Sequence, residues 1–355
     1  MVPKIVILHE YGAPRHFIAL DYLQKAGFIG EIQSLEFNLL IQIARGMRHF
    51  SGKKNSKTFY NIKEISKLFL KKDQFVIIGA APYDPIIPLL QRLKTRNKVI
   101  YYTSWPFWNG DRYVKKPLFL KQKDVWADFL KDLVSVGVTE AACRGVESLG
   151  SHAFHIPHAV DTQIFKPTST KSEKSIILFV GSLIPRKGIP MLLDMIRANK
   201  WPDKTEFWFV GTGPFKSQIL TMTKRYPVRY MGYISNDQKL ASIYQQANLL
   251  VLPSLDGTDI ENFGIVLIEA MACGLPVVTT DCVGPKEIVR DSTDGYVISQ
   301  GNKEQLREEI VQLLENPRLR MAMGLNGRKK AEEIYSVQKI ASRWENVIEV
   351  VQKNS

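Results

Sequence analysis

Two acids, Glu261 and Glu269, stand eight positions apart in the stretch Leu249–Pro276, LLVLPSLDGTDIENFGIVLIEAMACGLP. Glu269 is flanked by Val266, Leu267, Ile268, Ala270 and Met271, where an unpaired carboxylate is costly to bury. Along a helix eight positions span roughly 12 Å, similar to the reach from a nucleotide's ribose to its attached sugar. A carboxylate only accepts hydrogen bonds, so this pair suits a ribose diol and sugar hydroxyls and repels phosphate. The same spacing also fits Glu269 as a buried structural acid paired with a lysine. Upstream, Arg186 and Lys187 in Ile176–Gly188 (IILFVGSLIPRKG) sit just before a helix start, whose free N–H groups and dipole favour anions. They could bind a pyrophosphate or simply form a basic loop capped by the helix 189–198. Gly181, at the strand end, lets backbone approach a ligand closely. A P-loop is excluded, because its second glycine would fall on Arg186. Gly211 and Gly213 in Phe207–Pro214 (FWFVGTGP) supply two glycines of a dinucleotide fingerprint, but Lys216 holds the third position.

The elements that must carry these residues are short apolar runs separated by helix-length amphipathic stretches. Strands are predicted at Lys4–Leu8, Phe75–Ile78, Val99–Tyr102, Leu133–Val136, Phe154–Ile156, Ile176–Val180, Phe207–Val210, Val228–Met231, Leu249–Leu252 and Val277–Thr279. Between them fall helices such as Met191–Ala198, Gln238–Gln246, Ile265–Cys273 and Lys303–Leu314. Continuous rather than alternating hydrophobicity implies parallel sheets covered on both faces, the doubly wound α/β class, which binds ligands at the carboxyl ends of its strands. A chain of 355 residues fits two such domains. The Ser-, Thr- and Lys-rich stretch Phe165–Lys174 is the expected boundary, giving domains 1–168 and 169–335 and a helix 336–355 that returns to the first domain.

The formal charge of +13 is uneven: residues 1–170 hold 24 basic against 14 acidic side chains, the remainder 24 against 21. Arg45, Arg48, Lys53, Lys54, Lys57, Lys63, Lys67, Lys71 and Lys72 concentrate nine basic groups around one acid, Glu64, with Phe50, Phe59, Tyr60 and Leu68 interleaved. That segment could lie on an anionic membrane surface or be a solvated helix face. No nucleic-acid-binding motif accompanies the charge, so nucleic acid is not expected as a partner. No apolar run reaches transmembrane length, and Met1–Glu10 reads as a first strand rather than a signal peptide. Cys143, Cys273 and Cys282 have no C-x-x-C spacing and argue for a reducing, cytoplasmic compartment. His152, His155 and His158, read as sharing one strand face, could suggest a metal, but no carboxylate or cysteine stands at ligand spacing, so none is expected. Asp256 and Asp259 read as a turn around Gly257. Tyr101, Tyr102, Trp105, Phe107, Trp108 and Tyr113 could stack on an acceptor sugar, touch lipid, or form core.

The run ENFGIVLIEAMACGLPVV resembles the E-x7-E signature of glycosyltransferase family 4, retaining enzymes of the GT-B fold. Ile156–Pro167 (IPHAVDTQIFKP), Phe179–Gly188, Phe209–Pro214 and Val283–Val289 (VGPKEIV) resemble further segments of that family in the expected order. The resemblance covers roughly residues 130–300. It implies that Lys187, with Arg186, binds the donor pyrophosphate beside Gly181 and Ser182. Glu261 would hold the transferred sugar with Asn262, Phe263 and Gly264 nearby, and Glu269 the ribose diol. The base would sit near Tyr233 and Ile234, and the Gly211–Gly213 turn would face the donor. Two departures stand out. Ser182 replaces a common arginine, and Thr103-Ser104-Trp105-Pro106 lacks the histidine that many members carry there. The Gly12-Ala13-Pro14-Arg15 turn loosely matches a glycine-rich loop lining the acceptor side, where Ser104 and Trp105 would also lie.

Together these readings predict a GT-B enzyme that moves a sugar from a nucleoside-diphosphate donor to a hydroxyl acceptor with retention of configuration. The acceptor would be an anionic or membrane-borne glycan or glycolipid, met peripherally at the inner membrane face. Neither metal nor cofactor is expected. A nucleotide-sugar epimerase of similar fold and a catalytically silent sugar-nucleotide-binding subunit are the alternatives.

Overall fold

A strand buried on both faces needs helices above and below it, and the runs picked out above fold accordingly. The computed structural model describes residues 2–9, 14–37, 56–109, 120–168, 173–198, 201–257 and 259–353. They fall into two compact units, Met1–Ala159 with Val337–Ser355, and Val160–Ser336.

In the first unit β1 (Ile5–His9), α1 (Ile18–Lys25), β2 (Ile32–Glu36), α2 (Ser56–Leu70), β3 (Phe75–Gly79) and α3 (Ile87–Lys94) lead into β4 (Lys98–Thr103). Then follow α4 (Lys123–Leu130), β5 (Val134–Gly137), α5 (Glu140–Glu147) and β6 (His152–His155). The strands form a parallel sheet in the order β2-β1-β3-β4-β5-β6, with His9 level with Gly79. The second unit holds β7 (Ser175–Val180), α6 (Ile189–Arg197), β8 (Thr205–Val210), α7 (Lys216–Met222), β9 (Val228–Gly232), α8 (Asp237–Gln246) and β10 (Leu249–Leu252). It continues through α9 (Ile265–Ala272), β11 (Val277–Thr280), α10 (Pro285–Ile288), β12 (Gly295–Ile298), α11 (Lys303–Glu315) and α12 (Pro317–Lys330). Its parallel sheet runs β12-β11-β10-β7-β8-β9. In each sheet the winding reverses beside the first strand, between β1 and β3 and between β7 and β10. Such a reversal opens a crevice at the carboxyl ends of the strands.

All ten predicted strands are present, and β3 and β10 are buried at every residue. Two edge strands escaped prediction. β2 reads IQSLE with a single buried side chain, and β12 is four residues beginning with glycine, so neither makes a continuous apolar run.

The expected boundary at 168/169 lies nine residues too late, because 160–168 belongs to the second unit. The Val160 N–H donates to the Tyr335 carbonyl at 2.8 Å, and Val160 bridges Ser336 in parallel. The Arg328 guanidinium donates to the carbonyls of Phe165 (2.8 Å), Thr162 (3.2 Å) and Ala272 (2.6 Å), and Phe165 packs edge-on against Tyr244. A segment that reads as linker by composition is therefore clamped by a side chain more than 160 residues away. The last helix, α13 (Val337–Lys353), packs on α1 in the first unit, burying Ile340, Trp344, Val347 and Val351 at helical spacing.

Candidate functional site

In the second unit, β10, β7, β8 and β9 are consecutive neighbours, so the loops leaving their carboxyl ends lie side by side. Those loops hold Gly181 and Ser182, Arg186 and Lys187, Gly211 and Gly213, Tyr233 and Ile234, and Glu261 to Gly264. Sheet order thus gathers onto one edge residues spread over more than eighty positions.

Two glycines make this gathering sterically feasible. Gly188 has φ +73°, and a Cβ there would stand 2.2 Å from the Pro253 carbonyl oxygen. Its bare backbone lets the 3-10 turn Pro185–Lys187 sit directly on the end of β10, where the Leu255 N–H donates to the Arg186 carbonyl at 2.7 Å. Gly211 has φ +136°, and a Cβ would come within 1.9 Å of the Gly181 carbonyl oxygen, so the β7 and β8 loops also meet backbone to backbone.

The result is a carboxylate held on one side only. Oε2 of Glu261 accepts from the Lys187 ammonium and from Ser254 Oγ (2.9 Å), and Arg186 Nη1 lies 3.5 Å away. Among the described residues no hydrogen bond reaches Glu261 Oε1. Arg186 Nη1 is buried and makes no hydrogen bond, being an ion-pair neighbour at a distance too long for one. The side-chain oxygen of Asn262 is likewise buried without a hydrogen-bond partner. Lys187 keeps N–H groups to spare after serving Glu261, since an ammonium has three. The loop itself is tied by Asp256, whose two carboxylate oxygens accept from the N–H groups of Glu261 (3.1 Å) and Val283 (3.2 Å). Ser254 is fixed in turn, its carbonyl accepting from Thr280 Oγ1 (2.6 Å) and Cys282 Sγ (3.2 Å). Burial pushes the Cys282 thiol up to about 12, so it stays protonated as that donor.

Glu269 lies on α9 and is 5% exposed. Its carboxylate accepts from the Tyr244 hydroxyl at 2.8 Å, a tyrosine of α8 in place of the lysine considered from sequence. Removing that donor in Tyr244→Phe should cost about 1.5–3 kcal/mol, the range for hydrogen bonds to charged groups, measured by thermal or denaturant unfolding. Unchanged stability would mean that Glu269 is held by other groups. Both α6 and α9 begin at this edge behind glycine N-caps with no side-chain cap, leaving first-turn N–H groups for an anion.

Sequence reasoning missed Ser254, Tyr244 and the anchoring role of Asp256. The Asp256 side chain organises the loop, while the Gly257 N–H donates forward to the Asp259 carbonyl at 3.0 Å, the reverse of the sense in which a β-turn closes. The other sites are more scattered. Ser182 is exposed, and Tyr233 is 72% exposed beside half-buried Ile234.

In the first unit Arg15 is exposed on the 3-10 helix Pro14–Phe17, whereas Gly12 lies outside the described residues. Trp105 is turned into its own loop, its indole N–H donating to the Phe107 carbonyl at 2.6 Å, with Ser104 half-buried beside it. Tyr101, Tyr102 and Trp108 are core, and Tyr113 lies outside the described residues. So do residues 45–55 of the basic segment; further along, α2 exposes Lys63, Lys67 and Leu70 and buries Ile65 and Leu68. The three histidines 152, 155 and 158 do not share a face. His152 is exposed and His155 half-buried on β6, whereas His158 lies past the strand end, buried against Tyr102. No described helix is long and apolar enough to cross a membrane.

Comparison with known proteins bears on this geometry. Residues 160–330 match the family model described as glycosyl transferases group 1. An uncharacterised glycosyltransferase of Methanocaldococcus jannaschii is 29% identical over 210 residues, 58% of this chain and 54% of that one. The GDP-mannose-dependent monoacylated alpha-(1-6)-phosphatidylinositol monomannoside mannosyltransferase of Corynebacterium glutamicum is 28% identical over 229 residues, 58% of this chain and 59% of that one. The chain therefore spans a little over half the length of these curated relatives. Among solved structures, sucrose-phosphate synthase from Thermosynechococcus elongatus superposes with TM-score 0.75 at 18% identity, covering 99% of this chain and 100% of that one. HepE of Anabaena in complex with UDP gives 0.71 at 15%, covering 98% and 100%. At such identities the likeness is one of fold. Residues 160–330, nearly the whole second unit, belong to the glycosyl transferases group 1 family, and the chain has the two-domain, Rossmann-like GT-B fold.

Proposed function

We propose that this protein transfers a sugar from a nucleoside-diphosphate sugar to a hydroxyl acceptor, with retention of configuration. The observation that carries the reading is the half-used Glu261 carboxylate. One oxygen is taken by Lys187 and Ser254, the other is open to sugar hydroxyls, and Lys187 and Arg186 have N–H groups left for phosphate oxygens. A site that binds hydroxyls and a diphosphate side by side suits an activated sugar. Glu269, on the following helix, takes the ribose diol, and the base lies by Tyr233 and Ile234. Lys187, Arg186 and the first turns of α6 and α9 neutralise the charge that grows on the departing diphosphate, which itself takes the acceptor's proton. With the compensating charge supplied by the protein, turnover should be unaffected by EDTA, and loss restored by magnesium would count against this mechanism.

The family match and relatives that act on phosphatidylinositol mannosides support a glycan or glycolipid acceptor. The basic surplus of residues 1–170 supports an anionic or membrane-borne one, reached from the membrane surface.

The test begins with thermal shifts in UDP, GDP and ADP, since a ligand of the folded state raises the melting temperature. Diphosphate release from the matching nucleotide sugars is then followed with and without acceptor. Release stimulated by acceptor is expected. A donor interconverted without acceptor would indicate an epimerase, and binding with no turnover a silent subunit.

A further inference from the structure

The first sheet also reverses its winding, between β1 and β3, and imidazoles gather beside that reversal. His9 ends β1 at the winding reversal between β1 and β3, and the level residue on β3, Gly79, has no side chain to displace it: a Cβ there would sit 2.4 Å from His9 Cδ2. His16, on the 3-10 helix that follows, stands edge-on to His9 at 5.9 Å between ring centroids and lies over His158 at 4.4 Å with a 33° tilt. His158 Nδ1 is 3.2 Å from the Tyr102 hydroxyl of β4. Phe17 and Trp344 pack on Tyr102 in turn, Phe17 at 4.9 Å and Trp344 stacked at 6.3 Å between ring centroids. Two chain regions far apart in sequence, 9–16 and 158, thus bring three imidazoles together beside the winding reversal, where this architecture binds ligands.

Within the trio His16 stands apart. Its Nδ1 is buried and has no hydrogen-bond partner among the described residues. A buried polar atom left unpaired costs stability unless something pairs it. Packing and burial keep the imidazoles neutral, and a neutral ring offers one N–H and one lone pair. Such a lining lacks the positive charge that would favour phosphate and matches the donor–acceptor character of a hydroxyl.

We propose that His16 is the receptor for the acceptor: its unpaired ring nitrogen accepts a hydrogen bond from a hydroxyl next to the one that is to be glycosylated and so orients the attacking oxygen, whose own proton stays free for the departing diphosphate, with His158 stacked behind the ring and His9 at its edge. No proton is removed by the ring; it positions. This rests on the glycosyl-transfer reading.

The experiment compares wild type, His16→Phe and His16→Asn in the full chain, using the nucleotide sugar that wild type turns over. Methyl α-mannoside, methyl α-glucoside and phosphatidylinositol vesicles serve as acceptor probes. His16→Phe should lower kcat/KM for acceptor about ten-fold or more, the loss of one oriented hydrogen bond, with donor hydrolysis in acceptor-free buffer and the nucleotide thermal shift unchanged. His16→Asn, whose amide oxygen can accept near the same place, should recover most of that loss. In parallel the Cε1–H resonance of His16, assigned by its disappearance in His16→Phe, should move on titration with the methyl glycosides. A His16→Phe protein that transfers like wild type, or that loses hydrolysis and transfer equally, overturns the assignment. So does a wild type that hydrolyses donor but neither glycosylates a probe nor shows a moving resonance. If wild type turns over no nucleotide sugar at all, the glycosyl-transfer reading falls, and this assignment with it.

Discussion

Lys187→Ala is expected to slow sugar transfer by about 10²–10³-fold, corresponding to roughly 2.7–4 kcal/mol of transition-state stabilisation lost with one preorganised donor. The expected effect is large because Lys187 holds two jobs at one point. Its ammonium pins Oε2 of Glu261, and its remaining N–H groups are the ones proposed to hold the diphosphate. Without it, Glu261 keeps Ser254 at 2.9 Å and Arg186 at 3.5 Å, so the carboxylate stays in place but turns freely about those contacts. The fall should therefore appear in kcat as well as in donor affinity. Lys187→Arg, which preserves charge but not the compact ammonium, should fall between the two. Steady-state rates with saturating donor decide the matter: wild-type turnover in Lys187→Ala would remove this residue from the chemistry.

Acid should destabilise the first unit by about 3 kcal/mol through His9 alone. Burial, and then the neighbouring charge of His16, push the His9 imidazole down to about 4, while in an unfolded chain it titrates near 6.5. Between those values the unfolded chain takes up the proton and the folded one does not. The stability is therefore complete above pH 6.5 and is lost progressively as pH falls toward 4. His16 and His158 are shifted in the same direction, chiefly by burial, and deepen the loss. All six histidines of the chain lie between residues 9 and 158, so this linkage belongs to the first unit only. Urea unfolding at pH 7.5, 6.0 and 5.0 should show the first unit weakening with acid while the second holds. In His9→Asn the dependence should flatten; a pH-independent wild type would contradict the burial of these rings.

What could be read from the sequence follows from what each feature depends on. Strands covered on both faces announce themselves as unbroken apolar runs, and β3, β7 and β10 were legible for that reason. Edge strands such as β2 need only one buried residue and leave no such trace. The Glu261 and Glu269 pair was visible because its spacing is local, carried by one loop and one helix. That Lys187 and Glu261 touch was not legible, since 74 residues separate them and only the β10-β7 adjacency closes the gap. The histidines show the converse error. Spacing grouped 152, 155 and 158, whereas the winding reversal of the first sheet groups 9, 16 and 158. The domain boundary failed on composition: 165–174 reads as linker, but the second unit already begins at Val160, held there by the Arg328 guanidinium and the Tyr335 carbonyl, contacts that leave no pattern in the local sequence.

The Val160–Ser336 bridge has a further consequence for how this chain is put together. The second unit begins and ends in two chain segments held against each other by that single bridge, so it is a guest inserted, with adjoining ends, into a host split between 1–159 and 337–355. Guests of that kind can be cut out as one continuous piece, or replaced by a short connector, without severing any strand of either sheet. Trimming the chain's tail would by contrast strip Trp344 from the host and leave the inserted sheet untouched.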